Sequence, residues 1–375
     1  MQLPPYVGIG GNVEYSPPIT AEGVRMYGFL LPADRHHLDR AFEARFNEPS
    51  GGAVMTVSAM PFVLFYVSVI PNIRLRENVG WYAERETGVM MFGLDLTHDR
   101  LFTTLDYLFV DSGQAMANGR EIFGFPKQIG DFSGDDGWLV DPTVSAPTSN
   151  PDGFRLETLG VDHFGPHARA RRHELWRLER ATGGGRTAPV TDPAAMVTLI
   201  SDAMRAAEAP HVVGDMLRPF LHDDGPSASM PYRSPLGHGG FVSLDPHPYH
   251  APNPLAQGRM PLPAGRALPT GYHLVEELAQ NRLGTLLLKQ VRSAVVPGAA
   301  AFQSILHLDA SRTMRSMGVL DARYRLHVNA LDSAPMAYTF GWEGKPYVES
   351  VMALYTEYDF QYALGETLWS ATPGL

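Results

Sequence analysis

Three residues of this sequence can supply an amine nucleophile, and one of them lies in an apolar segment. The chain has 30 basic residues, and only Lys127, Lys289 and Lys345 are lysines. Lys127 lies in Gly119-Arg-Glu-Ile-Phe-Gly-Phe-Pro-Lys-Gln-Ile-Gly130, among phenylalanines, isoleucines and a proline. Because burial disfavours the ammonium form, an apolar pocket would lower the pKa of this lysine and expose a nucleophilic lone pair. A neutral amine attacks a ketone to form an imine, which is an electron sink for cleaving a neighbouring C–C or C–H bond.

A structural role for Lys127 is the commoner alternative, in which its stem packs on apolar neighbours and its ammonium group reaches solvent. The local sequence alone leaves both roles open. The other 27 basic residues are arginines, and an arginine cannot form an imine because its guanidinium group stays protonated. The scarcity of lysine is thus suggestive of amine chemistry at Lys127, and the choice between the two roles depends on the motif around it.

The composition excludes several other classes of function. The chain contains no cysteine, which excludes thiol nucleophiles, thiolate zinc sites and cysteine-ligated iron–sulfur clusters. A net charge of −10 argues against a general nucleic-acid partner. No Gly-x-Ser-x-Gly elbow is present for a serine hydrolase. The pair His247 and His250 lies in a proline-broken segment rather than at helical spacing, so no metal site is predicted.

The sequence offers no segment suited to a membrane. Its longest nearly uncharged apolar run, residues 59–71, has about 13 residues, whereas a membrane-spanning helix needs about 20. The first residues lack a basic stretch followed by an apolar run. We therefore expect a cytoplasmic protein with no membrane partner.

Most of the chain is predicted to form strands. One helix is expected to begin at Asp34, an N-cap residue, and to end after Phe46. Segments rich in β-branched and aromatic residues predict strands at Val24 to Leu31, Val54 to Ile70, Gly88 to Leu96, Arg100 to Asp111, Phe154 to Val161, Leu286 to Val296, Phe302 to Leu308, Ala322 to Asn329 and Met336 to Trp342.

Residues 166–280 are predicted to be an insertion within a single domain that spans residues 1–375. The arginine-rich segment from Arg169 to Arg180 is interpreted as a solvated helix face balanced by Glu174 and Glu179, with an anionic carrier as the less favoured partner. A helix starting near Asp192 and a long segment rich in Pro, Gly and His would follow it.

The segment around Lys127 resembles the active-site motif of the acetoacetate decarboxylase family. In that motif Gly-Arg-Glu leads through an aromatic residue and a proline into the imine-forming lysine. The matching positions are Gly119, Arg120, Glu121, Pro126 and Lys127. The resemblance covers residues 20–165 and about 280–360. It implies an α+β fold whose antiparallel strands curve into a cone or barrel-like sandwich, with the lysine projecting into the apolar interior.

The resemblance also implies roles for individual residues. Lys127 would be the Schiff-base lysine, and Glu84, in Gly80-Trp-Tyr-Ala-Glu84, would be the pocket carboxylate that shuttles protons. Arg25 would be the cation that orients the acid group of the substrate. We expect the other substrate contacts from Tyr66, Phe125 and Gln128.

Two departures from the family pattern leave the reaction open. The family has a second lysine next to the nucleophile, where this chain has Pro126 and Gln128. An earlier pocket glutamate of the family has no acidic counterpart in residues 62–70. The resemblance therefore implies a lyase of specialised metabolism that acts on a keto acid or ketone by decarboxylation or by an aldol or dehydration step.

No metal or organic cofactor is expected, because the imine is itself the electron sink, and a homo-oligomer is expected. The alternative is a non-catalytic small-molecule binding protein that keeps the apolar pocket.

Overall fold

The computed structural model of this protein describes most of the chain outside its first residues and a long central segment. The described residues are 17–75, 80–98, 100–134, 153–192, isolated positions between 195 and 202, 284–293, 295, 299–362 and 365–371.

Fourteen strands form one sheet within these ranges. They are β1 (Ile19–Pro32), β2 (Thr56–Leu75), β3 (Trp81–Asp95), β4 (Arg100–Val110), β5 (Lys127–Ile129), β6 (Asp131–Ser133), β7 (Arg155–Gly160), β8 (Arg171–Arg186), β9 (Gly284–Arg292), β10 (Ala300–Leu308), β11 (Ala310–Val328), β12 (Val348–Glu349), β13 (Met352–Tyr362) and β14 (Glu366–Ala371). Along the sheet the order is β14-β10-β9-β4-β3-β2-β1-β13-β11-β8-β7-β6, with β5 beside β4 and β12 beside β11. Strand β4 is parallel to β5 and to β9, and the other pairs are antiparallel. The predicted α+β fold with antiparallel strands is confirmed.

The sheet folds over itself and encloses an aromatic core. Phe65 on β2 and Phe109 on β4 pack against Trp176 on β8, with ring centroids 5.3 and 5.2 Å apart. Phe29 on β1 lies 4.8 Å from Tyr324 on β11. All five side chains are fully or almost fully buried, and large buried aromatic side chains contribute strongly to stability. We call this side of β1 to β4 the core face.

The opposite side of β1 to β4, which we call the pocket face, carries a second apolar cluster. Side chains alternate along a strand, so Phe65 points to the core face and Tyr66 to the pocket face. The buried members of the cluster include Ile19, Ala21, Val24, Tyr66, Ile70, Leu105, Leu108, Phe123, Phe125, Leu287 and Leu308.

Short helical segments connect the strands. They are α1 (Arg35–Phe42), α2 (Gly113–Asn118), α3 (Met336–Thr339) and the π-helical turns Glu43–Asn47 and Gly119–Phe123. Helix α1 begins as predicted, because the Asp34 side chain accepts a hydrogen bond of 3.1 Å from the backbone N–H of His37. None of the described helices is long and apolar enough to cross a membrane.

Two predicted elements are wrong. The arginine-rich segment is not a helix but strand β8, in which Trp176 and Leu178 both point into the core and the charged Arg177 lies between them. Its glutamates pair across strands, as when His327 approaches Glu179 at 2.9 Å. Residues 336–342, predicted as a strand, instead contain helix α3.

The predicted insertion is described only in part. Asp192 caps a helical segment as expected, since its Oδ2 accepts a hydrogen bond of 2.8 Å from the backbone N–H of Ala195. Strand β8, at the start of the insertion, pairs with β7 and β11 as a regular part of the sheet. The segment rich in Pro, Gly and His, with the pair His247 and His250, lies outside the described residues. The single domain and the bounds 166–280 stay predictions.

Candidate active site

Lys127 is the first residue of β5, and its position is set by the segment before it. Helix α2 runs into the π-helical turn, which ends at Gly124 in the left-handed conformation with φ of 84°. A Cβ at Gly124 would lie 2.7 Å from the Cα of Lys289 on β9, so only glycine fits this close approach. Lys127 then pairs with Leu108 of β4, whose side chain belongs to the pocket face. The lysine side chain therefore projects onto the pocket face, where the residue is only 8% exposed.

Gly119 makes room for the stem of Lys127. A Cβ placed on Gly119 would lie 2.5 Å from the Cδ of the lysine, well inside van der Waals contact. The first residue of the Gly-Arg-Glu motif therefore has a steric role here.

Substituting Gly119 with alanine is expected to push the lysine stem out of place. The expected cost is about 1–3 kcal/mol in the free energy of unfolding, measured by denaturant titration, because an extra methyl group in a packed site forces strain. Gly113→Ala is the matched control, since nothing lies within 4 Å of a Cβ built on Gly113. Equal free energies of unfolding for the two variants would contradict this steric role.

Strand β3 brings two carboxylates to the lysine amine. Glu84 and Glu86 are two residues apart, so both project onto the pocket face. Lys127 Nζ donates to Glu84 at 3.0 Å from Oε1 and 3.4 Å from Oε2. The same Nζ lies 3.1 Å from Oε2 of Glu86. The amine thus bridges two carboxylates, and the Glu84 side chain is 2% exposed.

Two tyrosines lie next to the polar group formed by Lys127, Glu84 and Glu86. The hydroxyl of Tyr66 on β2 donates to Oε1 of Glu86 at 2.7 Å. Tyr82, which precedes Glu84 by two residues, projects onto the same face of β3. Burial raises the pKa of both tyrosines, so both hydroxyls remain protonated donors at neutral pH.

Aromatic rings surround the polar group on the side of β13. Tyr362 packs against Phe123 and Phe125, with ring centroids 5.8 and 5.7 Å apart. Tyr358 and Phe360 of the same strand also pack against the apolar cluster of the pocket face. Lys127, Glu84 and Glu86 are therefore held in a largely apolar environment, where charges interact strongly.

The resting lysine is protonated, which corrects the expectation of a lowered pKa. Burial lowers the pKa of Lys127, but the negative charges of Glu84 and Glu86 outweigh it and raise the pKa above its usual range. The burial of Lys127 and its Glu84 partner were predicted from the sequence, whereas Glu86 was not. A nucleophilic amine at this site requires transfer of a proton to one of its carboxylate neighbours.

Glu84 is suited to accept that proton. Burial and the negative charge of Glu86 raise the pKa of Glu84 to about 7, against the opposing effect of the Lys127 ammonium group. A group whose pKa lies near the working pH exchanges protons efficiently in both directions. The hydrogen bond from Nζ to Glu84 Oε1 supplies the path.

Two of the residues predicted to bind substrate lie away from the lysine. Arg25 pairs with Val69 on β2 and points to the core face, on the other side of the sheet from Lys127. Gln128 pairs with Phe109, which packs in the core, so its side chain also points away from the pocket.

The other predicted residues fall into two groups. Tyr66 is joined to the lysine through Glu86, and Phe125 packs against Tyr362 on the pocket face. Arg120 and Glu121 are exposed, and Arg120 Nη1 donates at 3.4 Å to the backbone oxygen of Lys127. Pro126 directly precedes β5. These motif residues shape the turn rather than the pocket.

Glu86 is the site residue that the sequence analysis missed. The family pattern predicts a second carboxylate on β2, whereas this chain has it on β3. The signal was available in the alternation Tyr82-x-Glu84-x-Glu86, which puts three polar side chains on one face of a strand.

Comparisons with known proteins bear on the fold. No family model matches the sequence, and no curated protein matches it. Among solved structures, the acetoacetate decarboxylase of Legionella pneumophila is similar over 99% of this chain and 93% of that chain, at 12% identity and a TM-score of 0.50. The chain has the fold of acetoacetate decarboxylase.

Two further structures with this fold are similar at lower TM-scores. An acetoacetate decarboxylase-like enzyme from Sphingomonas wittichii has 10% identity and a TM-score of 0.47, with 94% of each chain covered. The enduracididine biosynthesis enzyme MppR, in complex with pyruvate, has 10% identity and a TM-score of 0.48, with 96% of this chain and 93% of that chain covered. The similarity to the Legionella pneumophila structure confirms the acetoacetate decarboxylase fold predicted from the motif at Lys127, and a fold alone does not fix the activity.

Proposed function

We propose that this protein is an imine-forming enzyme that acts on a small keto acid or ketone through Lys127. The observation that carries the proposal is the buried amine bridged by Glu84 and Glu86 at 3.0 and 3.1 Å. Buried charges are costly to keep, and clusters of titratable groups with strongly shifted pKa values occur most often at functional sites. The acetoacetate decarboxylase fold supports the same conclusion.

The reaction begins with proton transfer from Lys127 Nζ to Glu84. The neutral amine attacks the carbonyl carbon of the ketone, and the carbinolamine loses water to give a protonated imine. When a carboxylate lies β to the original carbonyl, the bond between the carboxylate carbon and the α carbon breaks. CO₂ leaves, and the electron pair moves into the iminium to give an enamine. Protonation at carbon and hydrolysis then release the product and the free amine.

The other imine reactions use the same residues. Loss of a proton from the carbon next to the iminium gives the same enamine, which adds to an aldehyde in an aldol step or expels a β-hydroxyl group as water. Glu84 exchanges the proton in each case, because its pKa of about 7 suits both acid and base roles. Glu86, held by Tyr66, stays close to the iminium and stabilises its positive charge.

We further propose a metabolic role, an assembly state and a cofactor requirement for the enzyme. It is a lyase of specialised metabolism, it works as a cytoplasmic homo-oligomer, and it uses no organic cofactor because the iminium is the electron sink. Within the described ranges, no three His, Asp or Glu side chains group as metal ligands. A bound metal is not required for any step above.

Oxygen exchange tests whether the protein forms an imine. Acetone incubated with the protein in H₂¹⁸O should gain ¹⁸O faster than acetone with buffer, because each cycle of imine formation and hydrolysis replaces the ketone oxygen. Mass spectrometry measures the exchange, and CO₂ release from acetoacetate then shows whether decarboxylation follows. Acetone that binds without enhanced exchange would favour a non-catalytic binding protein that keeps the apolar pocket.

A further inference from the structure

A keto acid that enters this pocket meets two carboxylates, so its own carboxylate requires a cation. Arg25, the cation suggested by the sequence, lies on the core face. Lys127 is committed to the imine, whose positive charge is already neutralised by Glu86. The pocket face therefore needs another positive charge if the substrate is an acid.

Arg312 on β11 is a cation on the pocket face. It lies opposite Phe360 in the β11–β13 ladder, and Ala310 and Met314 on the same face lie opposite Tyr362 and Tyr358. Diagonal neighbours across an antiparallel pair are within reach of long side chains. The Arg312 side chain thus approaches both tyrosines of the aromatic wall.

Burial along β11 agrees with this placement. Arg312 is half-buried, whereas its neighbours Ser311 and Thr313 are exposed on the other side of the strand. Met314 packs against a cluster that also includes Met26 and Met90 of β1 and β3, so this side of β11 faces the pocket.

The charges of Arg312 and Glu86 act on the same two tyrosines. Burial raises the pKa values of Tyr358 and Tyr362, the positive charge of Arg312 opposes this rise, and the negative charge of Glu86 adds to it. The pKa of Tyr362 is also affected by Lys127. Tyr358 and Tyr362 are therefore within electrostatic reach of both the cation on β11 and Glu86 on β3.

We propose that Arg312 binds a carboxylate of the substrate at the β11 side of the pocket, which makes the substrate a keto acid rather than a neutral ketone. This inference rests on the proposed imine chemistry at Lys127. A guanidinium group that held a departing carboxylate would stabilise the ground state and slow the loss of CO₂. Arg312 therefore suits a carboxylate that stays on the substrate and that lies near Tyr358 and Tyr362, on the β11 side of the ketone.

The test uses two ketones that differ only in a terminal carboxylate, levulinate and 2-pentanone. Each is incubated with the protein and cyanoborohydride, and the adduct is quantified by intact-protein mass as a function of ketone concentration. Arg312→Gln should raise the half-saturating concentration of levulinate by about tenfold to a hundredfold, because it loses a charge-assisted hydrogen-bonded contact. The value for 2-pentanone should not change, and Arg312→Lys should restore part of the loss.

Arg315→Gln is the control, since Arg315 lies on the same strand, is half exposed and pairs with Asp359 at 2.8 Å. It should leave both ketones unaffected. Equal changes for the two ketones, or none, in Arg312→Gln would overturn the assignment of Arg312 while leaving the imine intact. If the wild-type protein formed no adduct with either ketone, the proposed function would fail and this inference with it.

Discussion

Replacing Lys127 with arginine should abolish reductive trapping of ketones while leaving the fold intact. Arginine keeps a positive charge between Glu84 and Glu86, but its guanidinium group stays protonated and cannot form an imine. We expect no adduct above background with acetoacetate or acetone after cyanoborohydride reduction, measured by intact-protein mass. The circular dichroism spectrum should match that of the wild type.

The Lys127→Arg substitution separates loss of the nucleophile from loss of folding stability. Lys127→Met would leave two buried carboxylates without their cation and should cost about 3–5 kcal/mol in the free energy of unfolding. Loss of trapping in that variant could reflect unfolding. Lys345→Arg is the control substitution, since Lys345 is exposed. A folded Lys127→Arg protein that still gained the adduct would contradict the assignment of the nucleophile.

Replacing Glu84 with glutamine should slow imine formation by about a hundredfold to ten-thousandfold, the usual contribution of a positioned acid–base group. Glutamine keeps the size of the side chain but cannot take the proton from Lys127. The initial rate of trapping with acetone measures the loss. Glu121→Gln is the control, because Glu121 belongs to the same sequence motif and is exposed.

The rate of trapping should also depend on pH in a defined direction. The pKa of Glu84 is raised to about 7, so at lower pH its carboxylate is protonated and cannot accept the lysine proton. The wild-type trapping rate should therefore rise as the pH increases through about 7, and the Glu84→Gln variant should lack this rise. A wild-type rate that is flat across this range, or a variant within about twofold of the wild type, would show that Glu84 is not the acceptor.

The sequence predicted the strands and the lysine because both depend on local patterns. The alternation of apolar residues in β1, β2 and β4 and the Asp34 cap of α1 are local signals. The apolar segment at Lys127 likewise marked a buried amine. The arginine-rich strand β8 was misread because glutamates spaced for a helix pair instead across strands.

The composition of the pocket could not be read locally, because it depends on which face each strand presents. Arg25 and Tyr66 both lie on strands next to the pocket, yet the β1–β2 register sends the first to the core face and the second to the pocket face. Arg312, about 185 residues after Lys127 in the chain, joins the pocket only because β11 pairs with β13. Glu86 could have been predicted from the alternation of side chains along β3, but the family pattern indicates a second carboxylate on β2.

Peptide mapping after reduction tests most directly whether Lys127 is the nucleophile. The wild-type protein is incubated with acetoacetate and cyanoborohydride, digested and examined by tandem mass spectrometry. Acetoacetate contributes either its own carbon skeleton or, after loss of CO₂, that of acetone. We predict that the added mass is confined to the peptide that contains Lys127, with Lys289 and Lys345 unmodified. An adduct spread over all three lysines, or absent from Lys127, would contradict the account.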